Sequence, residues 1–367
     1  MDQTQSYPTP SLDEYSRKRG VCILGETGTG VSSTLTSYMK ADIDGGKRVV
    51  LIDPYGDLVQ NLTNTHSDVK VWHVGAKESA YFIDLFDTSN DTDGFQVAEE
   101  IIDLMYMLFD PHRSGVIGPR FEHAIRNTIV ALLDAGQGSF INIVKMLTDT
   151  KFLQSIIPSI KHEGVRIYFT DQLEKTSDFH KSEVLDYIVS KLSVFIEPSS
   201  FIGNITNGAD RQSFTTVLAT TKHSIGLDLS ELRKQPAHLQ TIATRLLSKQ
   251  LSRVIKEQNG NLTSASLYID EVNRFDHEHL EEIATYIRKQ KMELIYTARS
   301  ISLASREAQY VYLAGKSVVA YRIAPPDAEV LEAYFEGFKR PSDISAQPNF
   351  HYMARMRTAE GVRFVEG

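Results

Sequence analysis

The stretch GETGTGVSS at residues 25–33 constrains the fold of this chain more than any other stretch. It follows an apolar run, GVCILG, that indicates a buried strand, and it precedes a helical pattern, SSTLTSYMKA. A glycine-rich turn between a strand and a helix points successive backbone N–H groups at phosphate oxygens. The stretch matches the nucleotide-binding P-loop pattern, G-x-x-x-x-G-K-S/T, at every fixed position except the lysine, which is replaced by Val31.

The loop predicts both a ligand and the residues that hold it. In a P-loop the lysine faces the β- and γ-phosphates and the following hydroxyl ligates Mg²⁺, so Ser32 is the expected metal ligand. Val31 places an apolar side chain where the cation belongs, and we expect ATP and Mg²⁺ as cofactors, with binding weak or lost. The expected nucleotide-binding residues of the loop are Gly25, Thr27, Gly28, Thr29, Gly30, Val31, Ser32 and Ser33.

Two acidic stretches further along the chain fit the same chemistry. SLYIDEVNRF has the form of a Walker B strand, in which Asp270 would hold Mg²⁺ and Glu271 would polarise the attacking water. LIDPYGDL places Asp53 after the second strand, at the edge where such sheets bind ligands, and we expect it to contact the nucleotide. A plain turn is the alternative for this stretch, because Pro54 and Gly56 supply turn chemistry.

Strand and helix patterns alternate on both sides of a long helical block, which predicts an α/β fold with a mostly parallel sheet. Within the block, apolar residues recur at helical spacing with little strand signal, and this indicates an inserted all-helical subdomain. The expected organisation is a flexible leader at 1–19, a first core segment at 20–95, the helical insertion at 96–205 and a second core segment at 206–367.

Composition narrows the class of protein and its compartment. The net charge of −8 argues against a surface that is basic throughout, but it leaves room for a local basic stripe that faces DNA. No apolar run approaches the ~20 residues that a membrane span needs, so no transmembrane segment is expected. The single cysteine, Cys22, is expected in the core; it excludes a disulfide framework and favours a reducing, cytoplasmic setting.

A short basic run, RKQKMEL, lies at the end of a predicted helix. Its charges suit the negative end of the helix dipole, which is the structural explanation for them. In a ring-shaped ATPase the same position would send an arginine to a neighbour's nucleotide or basic side chains to DNA. On that second hypothesis Arg288 is a catalytic candidate.

Taken in order, these stretches resemble the HerA–FtsK superfamily of P-loop motor ATPases, and most closely the coupling proteins of type IV secretion and conjugation. LIDPYGDL is similar to their DPHGDL, LYIDEVNRF to their LIIDEFQNF, and IRKQKMELIYTARSISL to their RKYGLSLILAHQYLSQL. The segments GPRFEHAIRNTIVALLD, SIGLDLSEL and VVAYRIAPPDAEVLEAYF also resemble parts of these proteins. The resemblance implies a RecA-like core, a ring of six subunits and ATP-driven movement of DNA through a central channel.

The resemblance also implies roles for single residues and reveals departures. It implies that Asp270 and Glu271 hold the metal and activate water, and that Arg288 belongs to a basic pair with Lys289. Besides the lost lysine, the glutamine that senses the γ-phosphate in this family aligns with Arg299. The histidine of DPHGDL is likewise absent, and a tyrosine stands in its place.

Three functions stay open on these grounds, and whether the chain is an enzyme stays undecided. The first is a pseudo-ATPase, a structural or regulatory subunit of a DNA-transfer or DNA-processing machine, which Val31 and Arg299 support. The second is an active DNA-translocating ATPase with an unorthodox site, which Asp270 and Glu271 support. The third is a protein-interaction module that uses the helical insertion for recognition. The candidate partners are ring subunits of the same or another chain, DNA and proteins of a transfer machine.

Overall fold

The computed structural model describes residues 9–88, 93–172, 178–197, 200–208, 210–257, 265–275, 277–335 and 337–367. These residues divide into two units. The first unit comprises Met1–Val74, Thr215–Gln235 and Thr244–Gly367. The second unit comprises Gly75–Phe214 and Pro236–Ala243.

A nine-stranded sheet forms the framework of the first unit. Numbered along the chain, the described strands are β1 Val21–Leu24, β2 Val49–Asp53, β3 Lys70–His73, β4 Tyr81–Phe82, β5 Gln212–Ser213, β6 Ile225–Asp228, β7 Ser266–Ile269, β8 Glu293–Ala298, β9 Ser317–Ala320, β10 Met353–Thr358 and β11 Gly361–Glu366. The order across the sheet is β11-β10-β9-β1-β8-β7-β2-β6-β3. All pairs are parallel except those on either side of β10, which confirms the predicted α/β fold with its mostly parallel sheet.

The central strands are continuous apolar runs because the sheet is covered on both faces. Every residue of β1, β2, β7 and β8 is buried. Cys22 lies in β1 at 0% exposure, and this burial raises the pKa of its thiol to about 12. On one face, residues such as Leu35, Leu51 and Leu62 form a buried apolar cluster under two helices.

Helices follow most strands of the first unit, as βα alternation requires. They are Glu14–Arg19, Val31–Asp44, Asp57–Thr63, Phe214–Thr220, Ala237–Glu257, His277–Lys289, Arg306–Leu313, Pro325–Phe335 and Pro341–Ser345, with two 3₁₀ turns at Ser230–Lys234 and Val272–Arg274. Phe214–Thr220 and Ala237–Glu257 each extend across the boundary between the units. No helix in the described ranges combines the length and apolar character that a membrane span needs.

The second unit is mainly helical. Its helices are Gly94–Phe109, Pro119–Asp134, Phe140–Thr148, Thr150–Ile156, Glu163–Ile167, Asp178–Ile196 and Phe201–Thr206, with a 3₁₀ turn at Ile157–Ser159 and a π-helical turn at Tyr168–Gln172. It also contains a small parallel pair, β4 with β5, whose strands lie outside the predicted insertion of 96–205. Within 96–205 the described elements are all helical, and the unit runs from Gly75 to Phe214 and includes Pro236–Ala243.

The segment expected to be a flexible leader contains the helix Glu14–Arg19. Residues 1–8 of that segment lie outside the described residues. The helix is held by Arg17, whose buried guanidinium donates to the carboxylates of Asp42 and Glu293 and, at 3.0 Å, to the hydroxyl of Tyr268. A buried ion pair thus attaches this helix to the sheet domain, whereas the sequence predicts a flexible leader.

Candidate nucleotide-binding site

Parallel strands bring their carboxyl ends to one edge of a sheet, and four neighbouring strands do so here. The glycine loop follows β1, Arg299 follows β8, Asp270 follows β7, and Asp53 ends β2. Since β1, β8, β7 and β2 are consecutive in the sheet, stretches far apart in sequence meet at this edge.

The glycine loop turns sharply because two of its glycines adopt the left-handed backbone region. The φ angle is 82° at Gly28 and 118° at Gly30, which directly precedes the helix Val31–Asp44. A Cβ atom at Gly25 would lie 2.5 Å from Cγ2 of Val31, so no side chain fits there. The loop thus has the tight backbone of a phosphate cradle at a helix N-terminus.

The loop opens onto a pocket of about 220 Å³ in the first unit. The residues that line it are Gly25, Glu26, Thr27, Gly28, Gly30, Val31, Ser32, Ser33, Asp270, Glu271, Thr297, Ala298, Arg299 and Phe350. Both acids of the Walker B stretch therefore lie at the glycine loop. Thr29 is the one predicted loop residue that does not line the pocket, because its buried hydroxyl donates to the carbonyl of Glu26 at 2.7 Å.

The surroundings of Asp270 fix the position of its carboxylate and raise its pKa. It is 8% exposed, and its carboxylate accepts a hydrogen bond of 2.6 Å from the hydroxyl of Thr297. Burial, together with the charges of Asp53 and Glu271, raises the pKa of Asp270 to about 6. At neutral pH the carboxylate is ionised and, with the hydroxyl of Ser32, could hold Mg²⁺ beside the phosphates, since Mg²⁺ commonly uses few protein ligands.

Glu271 is buried in a set of hydrogen bonds that neutralise its charge. The hydroxyl of Tyr55 donates to both carboxylate oxygens at 2.8 and 2.9 Å, and Nε of Arg274 donates at 2.7 Å. Nε of Arg299 forms a further ion pair with the same carboxylate. Three donor groups therefore occupy most of the acceptor positions of the carboxylate that the sequence predicts to activate water.

Thr297 is a site residue that the sequence analysis does not identify. It ends β8 with Ala298, and its hydroxyl accepts from the N–H of Glu271 at 2.9 Å while it donates to Asp270. One hydroxyl therefore fixes the positions of both acids. The signal in the sequence is weak, because a threonine near a strand end is common in any sheet.

Asp53, which is predicted to contact the nucleotide, lies at the end of β2 and is held there by backbone hydrogen bonds. It is fully buried and does not line the pocket. Its carboxylate accepts from the N–H groups of Tyr55 at 2.9 Å, Leu58 at 2.8 Å and Val59 at 3.0 Å. Asp53 thus stabilises the turn after β2 and the start of the helix Asp57–Thr63, in line with the turn alternative.

Arg288 is not brought to the pocket either. It is exposed in the last turn of the helix His277–Lys289, beside Lys289. This helix leads into the amino end of β8, whereas the pocket lies where β8 ends. Within one subunit, Arg288 therefore contributes nothing to the pocket, and a catalytic role for it would require a neighbouring subunit.

The charge of the pocket fits phosphates poorly. The charged residues that line it are three carboxylates, on Glu26, Asp270 and Glu271, and the single guanidinium of Arg299. That guanidinium already pairs with Glu271. The backbone of the loop fits a phosphate and the oxygen ligands fit Mg²⁺, but Val31, which also packs against the apolar cluster, supplies none of the positive charge expected there.

No protein-family model and no curated protein matches the sequence. In three dimensions the chain is similar to the plasmid coupling protein TrwB in complex with the GTP analogue GDPNP, with 15% identity, a TM-score of 0.61 and coverage of 99% of this chain and 89% of that chain. TrwB in complex with ADP and Mg²⁺ gives 15% identity, a TM-score of 0.58 and coverage of 96% and 86%. VirB4 of Thermoanaerobacter pseudethanolicus gives 13% identity, a TM-score of 0.63 and coverage of 95% and 88%.

These likenesses extend over 95–99% of this chain. They confirm at the level of fold the resemblance that the motifs indicate. The chain has the RecA-like P-loop ATPase fold that is found in the conjugative coupling protein TrwB and in VirB4.

Proposed function

We propose that this chain is a degenerate ring ATPase of the conjugation coupling-protein type, which acts as a structural or regulatory subunit of a DNA-transfer or DNA-processing machine. The observation that carries the proposal is the state of Glu271. Tyr55, Arg274 and Arg299 occupy the carboxylate that would activate water. With Val31 in place of the lysine, the pocket lacks both the usual phosphate charge and a free general base.

Binding of nucleotide should survive this loss better than hydrolysis does. The backbone N–H groups of the loop, the hydroxyl of Ser32 and the carboxylate of Asp270 are all at the pocket. The known TrwB complexes with ADP and Mg²⁺ and with a GTP analogue support nucleotide as the ligand class. We expect a bound nucleotide to serve as a structural ligand of the ring, and the ring of six subunits and its action on DNA are further parts of this proposal.

The decisive experiment compares nucleotide binding and turnover in the unmodified protein and in Val31→Lys, with and without DNA. We expect Val31→Lys to bind ATP at least tenfold more tightly, because a desolvated charge–phosphate contact is worth more than the ~1.4 kcal/mol that a tenfold change requires. Val31→Met is the matched control, since it lengthens the side chain without adding charge. Turnover by the unmodified protein that disappears in Glu271→Gln would overturn the proposal.

An active ATPase is the second candidate, and the position of Arg299 favours it. Arg299 lines the pocket, and its side chain is 52% exposed, so a bound γ-phosphate could attract it away from Glu271. Such a movement of Arg299 would supply a positive charge at the phosphate, and it would also free Glu271 from one of its ion pairs. On this hypothesis Arg299→Gln abolishes turnover, whereas on the first hypothesis there is no turnover to abolish. Absence of any nucleotide binding would favour the protein-interaction module.

A further inference from the structure

Three arginines surround one aromatic ring beside the pocket. The guanidinium carbons of Arg233, Arg299 and Arg274 lie 4.5, 5.0 and 5.5 Å from the ring centroid of Tyr55. We call these three residues the arginine cluster. They follow the carboxyl ends of three different strands, β6, β8 and β7, and all belong to the first unit.

The arginine cluster brings together three guanidinium groups, and its ion pairs go to one carboxylate. Arg274 and Arg299 share a single carboxylate, that of Glu271. Within the described residues, Arg233 contacts the neutral ring of Tyr55. Three arginines that meet at one place, in a chain whose net charge is −8, favour an anionic ligand there.

Some N–H groups of the arginine cluster are engaged: Nε of Arg274 and Nε of Arg299 face Glu271, and Nη2 of Arg274 donates to the hydroxyl of Tyr55 at 3.1 Å. Because a guanidinium carries five N–H groups, each arginine retains N–H groups beyond these contacts. Arg233 is exposed, and the side chains of Arg274 and Arg299 are 42% and 52% exposed. The forked N–H groups of arginine match the oxygens of a phosphate in spacing and direction.

We propose that the arginine cluster is a second phosphate-binding site, separate from the glycine loop but joined to it through Arg299. A phosphate bound there competes with Glu271 for the N–H groups of Arg274 and Arg299, and so it weakens the pairing that blocks the acid. The proposal rests on the same pairing that supports the proposed function. The phosphate is either a terminal phosphate of a nucleotide or a phosphodiester of DNA, and the chemistry of recognition is shared.

The test measures the affinity for inorganic pyrophosphate by titration calorimetry at low ionic strength, for the full chain and for Arg233→Gln. Arg233 does not line the nucleotide pocket, so its loss leaves the glycine loop intact. We expect about a tenfold weaker affinity in Arg233→Gln, the usual effect of losing one charge-assisted contact. The matched control is Lys234→Gln, which removes the same charge at the next exposed position, where the lysine pairs with Glu231.

Lys234→Gln should bind pyrophosphate like the unmodified protein. An equal loss of pyrophosphate affinity in both variants would mean that only net charge matters. An unchanged pyrophosphate affinity in Arg233→Gln would mean that the cluster binds no phosphate. Either result overturns the proposal. A parallel titration with oligothymidylate identifies the source: dependence on Arg233 there assigns the site to DNA, and independence assigns it to free or terminal phosphate. ATP turnover lost in Glu271→Gln contradicts only the proposed function, so the two failures are distinguishable.

Discussion

At the scale of single residues, the departures from the coupling-protein pattern prove to be spatially related. Tyr55 and Arg299 lie far apart in the sequence, yet both contact the carboxylate of Glu271. Arg299 also lies over the ring of Tyr55. These two departures from the family pattern are far apart in the sequence but share a contact in the structure. Both contact Glu271, the residue expected to activate water.

Asp270 gives a prediction about pH at this scale. Its pKa of about 6 means that the carboxyl holds a proton below that pH, and a protonated carboxyl does not ligate Mg²⁺. We expect the Mg²⁺-dependent part of nucleotide affinity to fall as the pH drops through about 6. Fluorescent-nucleotide titrations with and without Mg²⁺ on both sides of pH 6 measure this, and Asp270→Asn should remove the dependence on Mg²⁺ at every pH.

The same raised pKa has a consequence for folding. A carboxyl whose pKa is higher in the folded state contributes stability at acid pH that is lost as the pH rises through about 6. Asp270→Asn should therefore increase the free energy of unfolding at pH 8, as measured by urea denaturation. A loss of stability there would contradict this prediction.

At the scale of elements, the glycine loop depends on its neighbours as well as on its own glycines. The carbonyl of Thr29 accepts from the N–H of Phe350 at 2.8 Å, so the segment before β10 supports the turn. A Cβ atom at Gly30 would lie 3.0 Å from Cδ1 of Phe350 and 3.1 Å from Cε1 of Tyr321. Two aromatic side chains thus lie close to Gly30, the residue directly before the helix.

We expect Gly30→Ala to cost about 2–3 kcal/mol of stability, because it adds a steric conflict to the strain of φ = 118°. Gly28→Ala is the control, since it has a similar positive φ but no atom within 4 Å of the added Cβ. That variant should cost only about 1 kcal/mol. Chemical denaturation of both variants provides the measurement, and equal losses would exclude a role for the two aromatic side chains.

The helix Asp57–Thr63 offers a second test of an element. Removing the Asp53 carboxylate leaves the N–H groups of Leu58 and Val59 without their acceptor, so Asp53→Ala should cost about 1–3 kcal/mol. Asp57→Ala removes an exposed acid from the first turn of the same helix and should cost no more than about 1 kcal/mol. Direct participation of Asp53 in binding would instead appear as lost nucleotide affinity at unchanged stability.

At the scale of the whole molecule, Arg17 connects the N-terminal helix to the sheet. Arg17→Ala leaves the buried carboxylates of Asp42 and Glu293 without their shared partner, and breaking such a group typically costs about 3–5 kcal/mol. The adjacent Lys18→Ala breaks only an exposed pair with Glu14 and should cost at most about 0.5 kcal/mol. Thermal unfolding of the two variants should separate them clearly, and similar midpoints would mean that the helix is not anchored by this network.

The sheet and the glycine loop could be predicted because their signals are local. Buried parallel strands are continuous apolar runs, and the loop carries its glycines within a few residues. The environment of Glu271 could not be predicted in full, because Tyr55 and Arg299 reach it only through the order of β2, β7 and β8, whereas Arg274 is three residues away in the sequence. The hydrogen bonds of Thr29 and Asp53 to backbone groups could not be predicted either. The sequence shows that a residue is polar, but it does not show which backbone groups the side chain contacts.

Cys22 has a practical consequence for experiments on this chain. It is the one cysteine of the sequence, it is fully buried in β1, and burial keeps its thiol protonated at ordinary pH. Alkylating reagents act on the exposed thiolate, so the folded protein offers them no target. A cysteine introduced at an exposed position such as Leu303, which is 90% exposed, can therefore carry a single spectroscopic label without any background substitution.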